Sequence, residues 1–328
     1  MMSHQDFVQN LRPDRNLGME LVRATEAAAI SARHFIGKGD KNAADGAAVD
    51  AMRAFLSTVE MQGVIVIGEG EKDDAPMLFN GEHVGNGTGP MCDIAVDPID
   101  GTSLTAAGRQ NALSVIAVAD RGAMLDASSV FYMNKLVSGQ EAHGVLDIRL
   151  PISENIRLLA KAKGKPVDEM VIAVLDRPRH APLIEEIRAT GAGTRLMLDG
   201  DVAGGINAAM YGTRIDMCVG TGGSPEGIVT TCAIKALGGF IQGMLAPKDE
   251  EEAARGIAAG LKMDYVYEAD ELVKSNNTLF VATGVTDGGL VQGVRRKGPI
   301  IRTDSIILRS ASGTIRRIQS DYSAERWG

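Results

Sequence analysis

Cysteine is scarce: Cys92, Cys218 and Cys232 are the whole complement, odd in number and far apart. No Cys-x-x-Cys pair and no Cys/His ligand spacing occurs, which argues against structural zinc and leaves three reduced core thiols. The five histidines (His4, His34, His83, His143, His180) are equally scattered and form no metal motif. No run of ~18 apolar residues is present, so nothing is expected to span a bilayer. Residues 1–10 are polar and lack the apolar stretch of a secretory signal, so a cytoplasmic location is expected. Positive charge is also short: 34 Lys+Arg against 42 Asp+Glu leaves a net charge of −8. That disfavours nucleic acid, whose binding rests on phosphate neutralisation by basic patches. A small phosphorylated substrate stays open, because bound cations can invert the local field.

The 328 residues suit one large or two joined α/β domains. Leu17, Leu21, Ala24, Ala28 and Phe35 recur at helical spacing over 16–36, with Asp14 or Asn16 as cap and Gly37 as stop. A second helix is predicted over 42–59. The continuous apolar run 64–67, stopped by Gly68, reads as a buried strand. Further short strands are predicted at 93–96, 112–118, 130–132, 171–175, 194–198, 216–219, 279–282, 305–308 and 314–318. Helices are predicted over 153–163, 181–190, 202–210, 226–237 and 249–260. The second half alternates strand and helix more cleanly than the first, as parallel-sheet units do. Pro151, Gly164 and Pro166 punctuate a polar stretch, suggesting an N-terminal α+β domain over 1–150 and an α/β domain over 151–328.

Several chemistry-bearing segments follow strands, where open α/β sheets place ligands. In Gly68-Glu69-Gly70-Glu71-Lys72-Asp73-Asp74, an extended chain points Glu69, Glu71 and Asp73 the same way. Crowded carboxylates repel unless cations lie between them, and Mg²⁺ or Mn²⁺ favour such oxygen ligands. A solvated acidic loop is the plainer reading of an acidic run, but a strand terminus between glycines speaks against it. In Asp97-Pro98-Ile99-Asp100-Gly101-Thr102-Ser103, two carboxylates bracket a rigid turn and can share a metal pair. The N–H groups and hydroxyl after Gly101 can bind phosphate oxygens, helped by a helix dipole. An Asp/Thr cap explains one acid and the threonine, but not two acids around Pro-Ile.

Lys41 and Asp45 are spaced to share a helix face; alone, a surface ion pair would be the preferred reading. Val219-Gly220-Thr221-Gly222-Gly223-Ser224-Pro225-Glu226 reads as strand, glycine-rich turn and first helical turn, where Glu226 either favours the helix N-terminus or completes a metal shell. It lacks the Gly-Lys-Ser/Thr of a Walker loop. Arg177 and Arg179 around Pro178 suit a remote phosphate, and Asp199 and Asp201 around Gly200 suit sugar hydroxyls, or a turn and cap. Tyr132 and Lys135 share a smaller segment, where core or surface roles compete with substrate contact.

These segments together resemble the lithium-sensitive phosphatase superfamily, and within it the class II fructose-1,6-bisphosphatases of the bacterial GlpX type. The resemblance rests on Gly39-Asp40-Lys41-Asn42, Asp45-Gly46, Ile67-Gly68-Glu69-Gly70-Glu71, Ala75-Pro76-Met77-Leu78, Asp97-Pro98-Ile99-Asp100-Gly101-Thr102, Arg177-Pro178-Arg179-His180, Asp199-Gly200-Asp201 and Gly222-Gly223-Ser224-Pro225-Glu226-Gly227. It covers roughly 15–318. It implies a layered α-β-α-β-α sandwich and divalent-metal-dependent removal of the 1-phosphate of fructose 1,6-bisphosphate, with sedoheptulose 1,7-bisphosphate as a possible second substrate. Two or more Mn²⁺ or Mg²⁺ ions would be held by Asp45, Glu69, Asp97, Asp100 and Glu226. Lys41, Asp73 and Thr102 would surround the reacting phosphate and water. Asp100, Gly101, Thr102, Tyr132, Lys135, Arg177, Arg179, Asp199, Asp201 and Gly223 would contact the sugar bisphosphate. A homodimer or homotetramer is the family's habit. The alternatives are an inositol-monophosphatase-like enzyme and a non-catalytic sugar-phosphate or metal-binding regulator. Against the first, this chain has no late Trp-Asp pair, its sole tryptophan being Trp327; against the second, a regulator needs no acid beside a reactive water.

Overall fold

Alanine decides the first packing contact. Helix α1 (Leu17–Ala32) buries Ala24, Ala28, Ala29 and Ala32 completely, so its backbone can lie close on a sheet. Helix α2 (Lys41–Leu56) packs beside it and is capped by Asp40, whose carboxylate accepts the Ala43 N–H at 2.9 Å. Such a cap contributes about 1 kcal/mol. The computed structural model describes residues 17–68 and 78–328.

Strands β1 (Gln62–Ile67), β2 (His83–Val84) and β3 (Met91–Asp100) follow, then the short helix α3 (Thr102–Ala106) and β4 (Leu113–Asp120). The middle of the chain forms β5 (Tyr132–Ser138), α4 (Ile152–Lys163), β6 (Val171–Leu175), α5 (Ala181–Ala189), β7 (Gly193–Met197), α6 (Val202–Ala209) and β8 (Met217–Gly223). Next come α7 (Ser224–Leu237), β9 (Phe240–Leu245), α8 (Glu250–Ala258), β10 (Tyr267–Glu268) and α9 (Ala269–Leu272). The chain closes with β11 (Leu279–Gly284), β12 (Arg295–Lys297), β13 (Ile300–Arg309), β14 (Thr314–Ser323) and α10 (Ala324–Trp327).

Among the described residues these strands make two mixed sheets. The first runs β12-β13-β11-β4-β3-β1-β2, with β14 paired to β13; the second runs β10-β9-β5-β8-β6-β7. The sheets do not divide at residue 150. Strands β11 to β14 return to complete the first sheet, while β5, from before that point, sits inside the second. The parallel arrangement expected of the second half is found only where β6 meets β7 and β8; β5, β9 and β10 pair antiparallel. Strand β9 went unanticipated because Gly239, Gln242 and Gly243 dilute its apolar pattern, and the strand expected at 130–132 shares only Tyr132 with β5, whose Asn134 and Lys135 break its apolar run.

Five layers result. Helices α1 and α2 cover one face of the first sheet, α6 and α7 lie between the sheets, and α4 and α5 cover the far face of the second. Strand β4 shows why both faces of the first sheet must be covered. Leu113, Val115, Ala117 and Ala119 join the core between the sheets, while Ile116 and Val118 join the core under α1 and α2. Each such fully buried Leu, Val or Ile side chain contributes about 1.5–3 kcal/mol. No helix among the described residues is long and apolar enough to cross a membrane.

Candidate active site

Strand β3 carries the central motif and also separates its acids by role. Asp93 is buried beneath the sheet edge, where Oδ2 accepts the Met124 N–H at 3.1 Å and Oδ1 lies 3.5 Å from the Arg121 guanidinium. It is a structural anchor. Pairing with β4 then shifts register between Asp97 and Asp100. Within that irregularity Asp97 Oδ1 accepts the Ile99 N–H at 3.1 Å, closing a local turn. Thr102 begins α3, which is only five residues long, so the dipole expected to help bind phosphate is weak.

A cleft of about 500 Å³ opens between the sheets at this point. From the first sheet and its helices it is lined by Asp45, Asp97, Asp100, Gly101 and Thr102. From the second it is lined by Tyr132, Arg177, Arg179, Asp199, Asp201, Gly223 and Glu226. Twelve of the expected positions thus converge from segments far apart in the chain. Two do not reach the lining: Lys41 is exposed at the start of α2, and Lys135 is buried behind the wall. Glu69 and Asp73, expected at the metal and at the attacking water, lie outside the described residues.

Strand ends position the second-sheet groups. Arg177, just past β6, donates to Asp199 Oδ1 at 2.7 Å. Arg179 donates to the Thr221 carbonyl through Nε at 3.2 Å and Nη2 at 2.8 Å, and its guanidinium lies 5.1 Å from the centre of the Tyr132 ring. The two cations therefore stand on opposite sides of Pro178, each anchored to a different strand end. Gly200 is required by two constraints at once: its φ is +64°, and a Cβ there would fall 2.7 Å from Asp100 Oδ1. Only glycine lets the loop after β7 close on Asp100.

Electrostatics concentrates where the two walls meet. The Asp100 carboxyl is pushed well above the usual carboxylate range, first by burial and then by the charges of Asp201, Glu226 and Asp199. Burial also raises Glu226, against the opposing pull of Lys135. Asp100 Oδ2, Asp201 Oδ1 and Glu226 Oε2 are buried with no hydrogen-bond partner among the described residues. Buried carboxylate oxygens without donors are costly unless something else satisfies them. All the donors are oxygens, which is the chemistry a hard divalent cation takes. Among the described residues no three His, Cys, Asp or Glu side chains already stand in a chelating group. The site therefore fits cations in donor type and in unmet oxygen valence.

Several supporting residues escaped sequence reasoning. The glycine-rich segment expected as a turn is strand: Gly220 to Gly223 belong to β8, and α7 starts directly at Ser224. His180, dismissed as isolated, holds that strand in place. Its Nε2 accepts the Thr221 N–H at 2.8 Å, so Nδ1 donates to the Leu175 carbonyl, also at 2.8 Å. Burial lowers its pKa, which favours the neutral ring this pairing requires. Its position directly after Arg179 was the available signal. Phe131, exposed on the cleft rim and edge-on to Tyr132 at 4.8 Å, had none.

The chain is similar to known proteins over nearly its whole length. Residues 15–322 match the family model described as bacterial fructose-1,6-bisphosphatase, glpX-encoded. The chain is 45% identical over 325 residues to fructose-1,6-bisphosphatase 1 class 2 of Escherichia coli (strain K12), covering 95% of this chain and 96% of that protein. The fructose-1,6-bisphosphatase class 2 of Shigella flexneri matches with the same identity and coverage. With the family motif lying on one cleft and the match extending through both sheets, the chain belongs to the bacterial, glpX-encoded fructose-1,6-bisphosphatase family.

Proposed function

We propose that this protein hydrolyses the 1-phosphate of fructose 1,6-bisphosphate, giving fructose 6-phosphate and inorganic phosphate, with divalent cations held in the cleft. The observation that carries the reading is the convergence of two opposed sets of groups on one cavity. Asp45, Asp97, Asp100 and Glu226 present oxygen donors, while Arg177 and Arg179 present cations on the second-sheet side. A bisphosphate satisfies both ends, and a monophosphate satisfies one.

Asp45, Asp97, Asp100 and Glu226, with Glu69 outside the described residues, would hold Mn²⁺ or Mg²⁺. When bound, these cations supply charge neutralisation at the phosphate and a water ready to attack it. The Thr102 hydroxyl, at the first position of α3 on the cleft wall, orients that water or a phosphate oxygen. Asp73 accepts the proton the water loses. As the water oxygen bonds to phosphorus, the bond between phosphorus and the C1 oxygen breaks, and the departing alkoxide takes a proton from solvent. Arg177 and Arg179 bind the 6-phosphate, and Asp199 and Asp201 accept hydroxyls of the sugar. Lys41, one turn before Asp45 on α2, is exposed here, so a direct role at the phosphate would require its side chain to turn toward the cleft.

Phosphate release from a panel tests the reading: fructose 1,6-bisphosphate, sedoheptulose 1,7-bisphosphate, fructose 1-phosphate, fructose 6-phosphate and inositol 1-phosphate, each with and without chelator. Fructose 1,6-bisphosphate should be turned over with the highest kcat/KM, and only with metal. Preference for inositol 1-phosphate would instead assign the inositol-monophosphatase-like activity, and no turnover of any ester would leave a regulator.

A further inference from the structure

Lys135 lies where a lysine is costly. Strand β5 is an interior strand of the second sheet, and period two puts Met133, Lys135 and Val137 on one face, at 0%, 5% and 2% exposure. A buried ammonium on a central strand persists only if it is paired. Its Nζ lies 2.5 Å from Asp201 Oδ2 and donates to the Gly223 carbonyl at 3.1 Å. The opening it uses is made by Gly222, where a Cβ would fall 2.1 Å from Asp201 Oδ2 and 2.8 Å from Lys135 Nζ.

Those two partners sit on the second-sheet wall of the cleft, one in the loop after β7 and the other at the end of β8. Asp201 ends the loop after β7, and Gly223 precedes Glu226 at the start of α7. Both residues line the cleft, whereas Lys135 does not. One oxygen of Asp201 is taken by the lysine, and the other is buried without a donor among the described residues. Asp201 also stands near Asp100, Asp199 and Glu226, whose charges would drive it away from its place without a cation behind it.

We propose that Lys135 is a positioning residue rather than a substrate contact: from behind the wall it locks Asp201 and the Gly223 carbonyl together and so presents the unpaired Asp201 oxygen to the sugar. The assignment rests on the proposed hydrolysis of fructose 1,6-bisphosphate. It makes the lysine act through Asp201, so its effect belongs to substrate affinity and vanishes once Asp201 cannot bind.

Steady-state kinetics of Lys135→Met, Asp201→Asn and the double variant, at saturating Mn²⁺, test this. Lys135→Met should raise KM for fructose 1,6-bisphosphate about tenfold or more with kcat within about threefold, the signature of lost ground-state binding. The double variant should be no worse than the weaker single variant, because two groups acting as one unit are not additive. A lysine serving only the fold would give penalties that multiply, and one touching the reacting phosphate would lower kcat at unchanged KM; either result overturns the proposal, as does an unaltered Lys135→Met. If Lys135→Met alone cannot be obtained folded, Asp201→Asn is compared with the double variant, which leaves no charge buried alone. Equal KM values support the positioning role, and a further tenfold rise contradicts it. Wild-type protein that releases no phosphate from fructose 1,6-bisphosphate defeats the function itself and this role with it. An active wild type with the wrong pattern in the variants defeats the lysine assignment alone.

Discussion

Glu26 and the Asp100–Asp201–Glu226 group are carboxylates drawn into the same protein, and they are treated in opposite ways. Glu26, on α1, is 1% exposed, and both its oxygens are satisfied: Oε1 by the Thr303 hydroxyl at 2.7 Å and Oε2 by the Tyr322 hydroxyl at 2.5 Å. It ties α1 to β13 and β14. In the cleft, Asp100, Asp201 and Glu226 each keep a buried oxygen with no donor among the described residues. The same side-chain chemistry therefore completes a network in one place and leaves valence open in the other. A protein tolerates unmet buried acceptors where a ligand is going to meet them, and Glu26 shows that this chain supplies donors elsewhere.

The sharpest way to break the contrast is to neutralise acids proposed to hold the cations. Asp97→Asn and Glu69→Gln should each lower kcat on the order of 10³-fold while the melting temperature stays near that of the wild type. Differential scanning fluorimetry beside a phosphate-release assay reads both quantities, and full activity in either variant at saturating metal would remove that residue from the chemistry. Thr102 comes next. Thr102→Ala should cost ~10²-fold in rate and Thr102→Ser much less, since a positioned hydroxyl is what the site uses. Equal rates in the two variants would exclude the hydroxyl.

On the opposite wall, the Arg177→Ala, Arg179→Ala double variant should raise KM for the bisphosphate by ~10²-fold, the loss of two charge-assisted contacts. Activity on monophosphates should hardly move, so the preference for bisphosphates collapses. An unchanged KM would place the second phosphate elsewhere. The smallest catalytic effect belongs to Glu26. Glu26→Ala should leave kcat and KM intact but cost about 2–4 kcal/mol of stability, because two hydroxyls lose their acceptor in the core. At roughly 2 °C per kcal/mol for a chain of this length, the melting temperature should fall by about 4–8 °C. A stable Glu26→Ala with impaired turnover would reverse the two roles.

Much of this division was legible in the chain itself, for a local reason. Asp97, Asp100, Arg177, Arg179, Asp199 and Asp201 all follow short apolar runs, and strand ends are where this architecture exposes groups to a cleft. What was not legible depended on partners distant in sequence. Asp93 and Asp97 are separated by only four positions, and it took Arg121 and Met124 to make the first a structural anchor. Core, surface and substrate roles all stayed open for Lys135 in the sequence, and its burial is set by the interior place of β5 between β8 and β9. The return of β11 to β14 to the first sheet leaves no trace in local periodicity, because antiparallel and parallel strands of a buried sheet read alike as short apolar runs. His180 could have been noticed beside Arg179, but its hydrogen bond to the Thr221 N–H joins residues 41 apart in sequence.

The open carboxylates of the cleft are tested most directly by phosphate release from fructose 1,6-bisphosphate with protein stripped of metal by chelator, before and after Mn²⁺ or Mg²⁺ is returned. The stripped protein should be silent, and added cation should restore turnover at the 1-position, with fructose 6-phosphate as the sugar product. Undiminished hydrolysis by the stripped protein, or none after cation is restored to a folded sample, would contradict a site in which the unmet oxygens of Asp100 and Glu226 are there to hold metal.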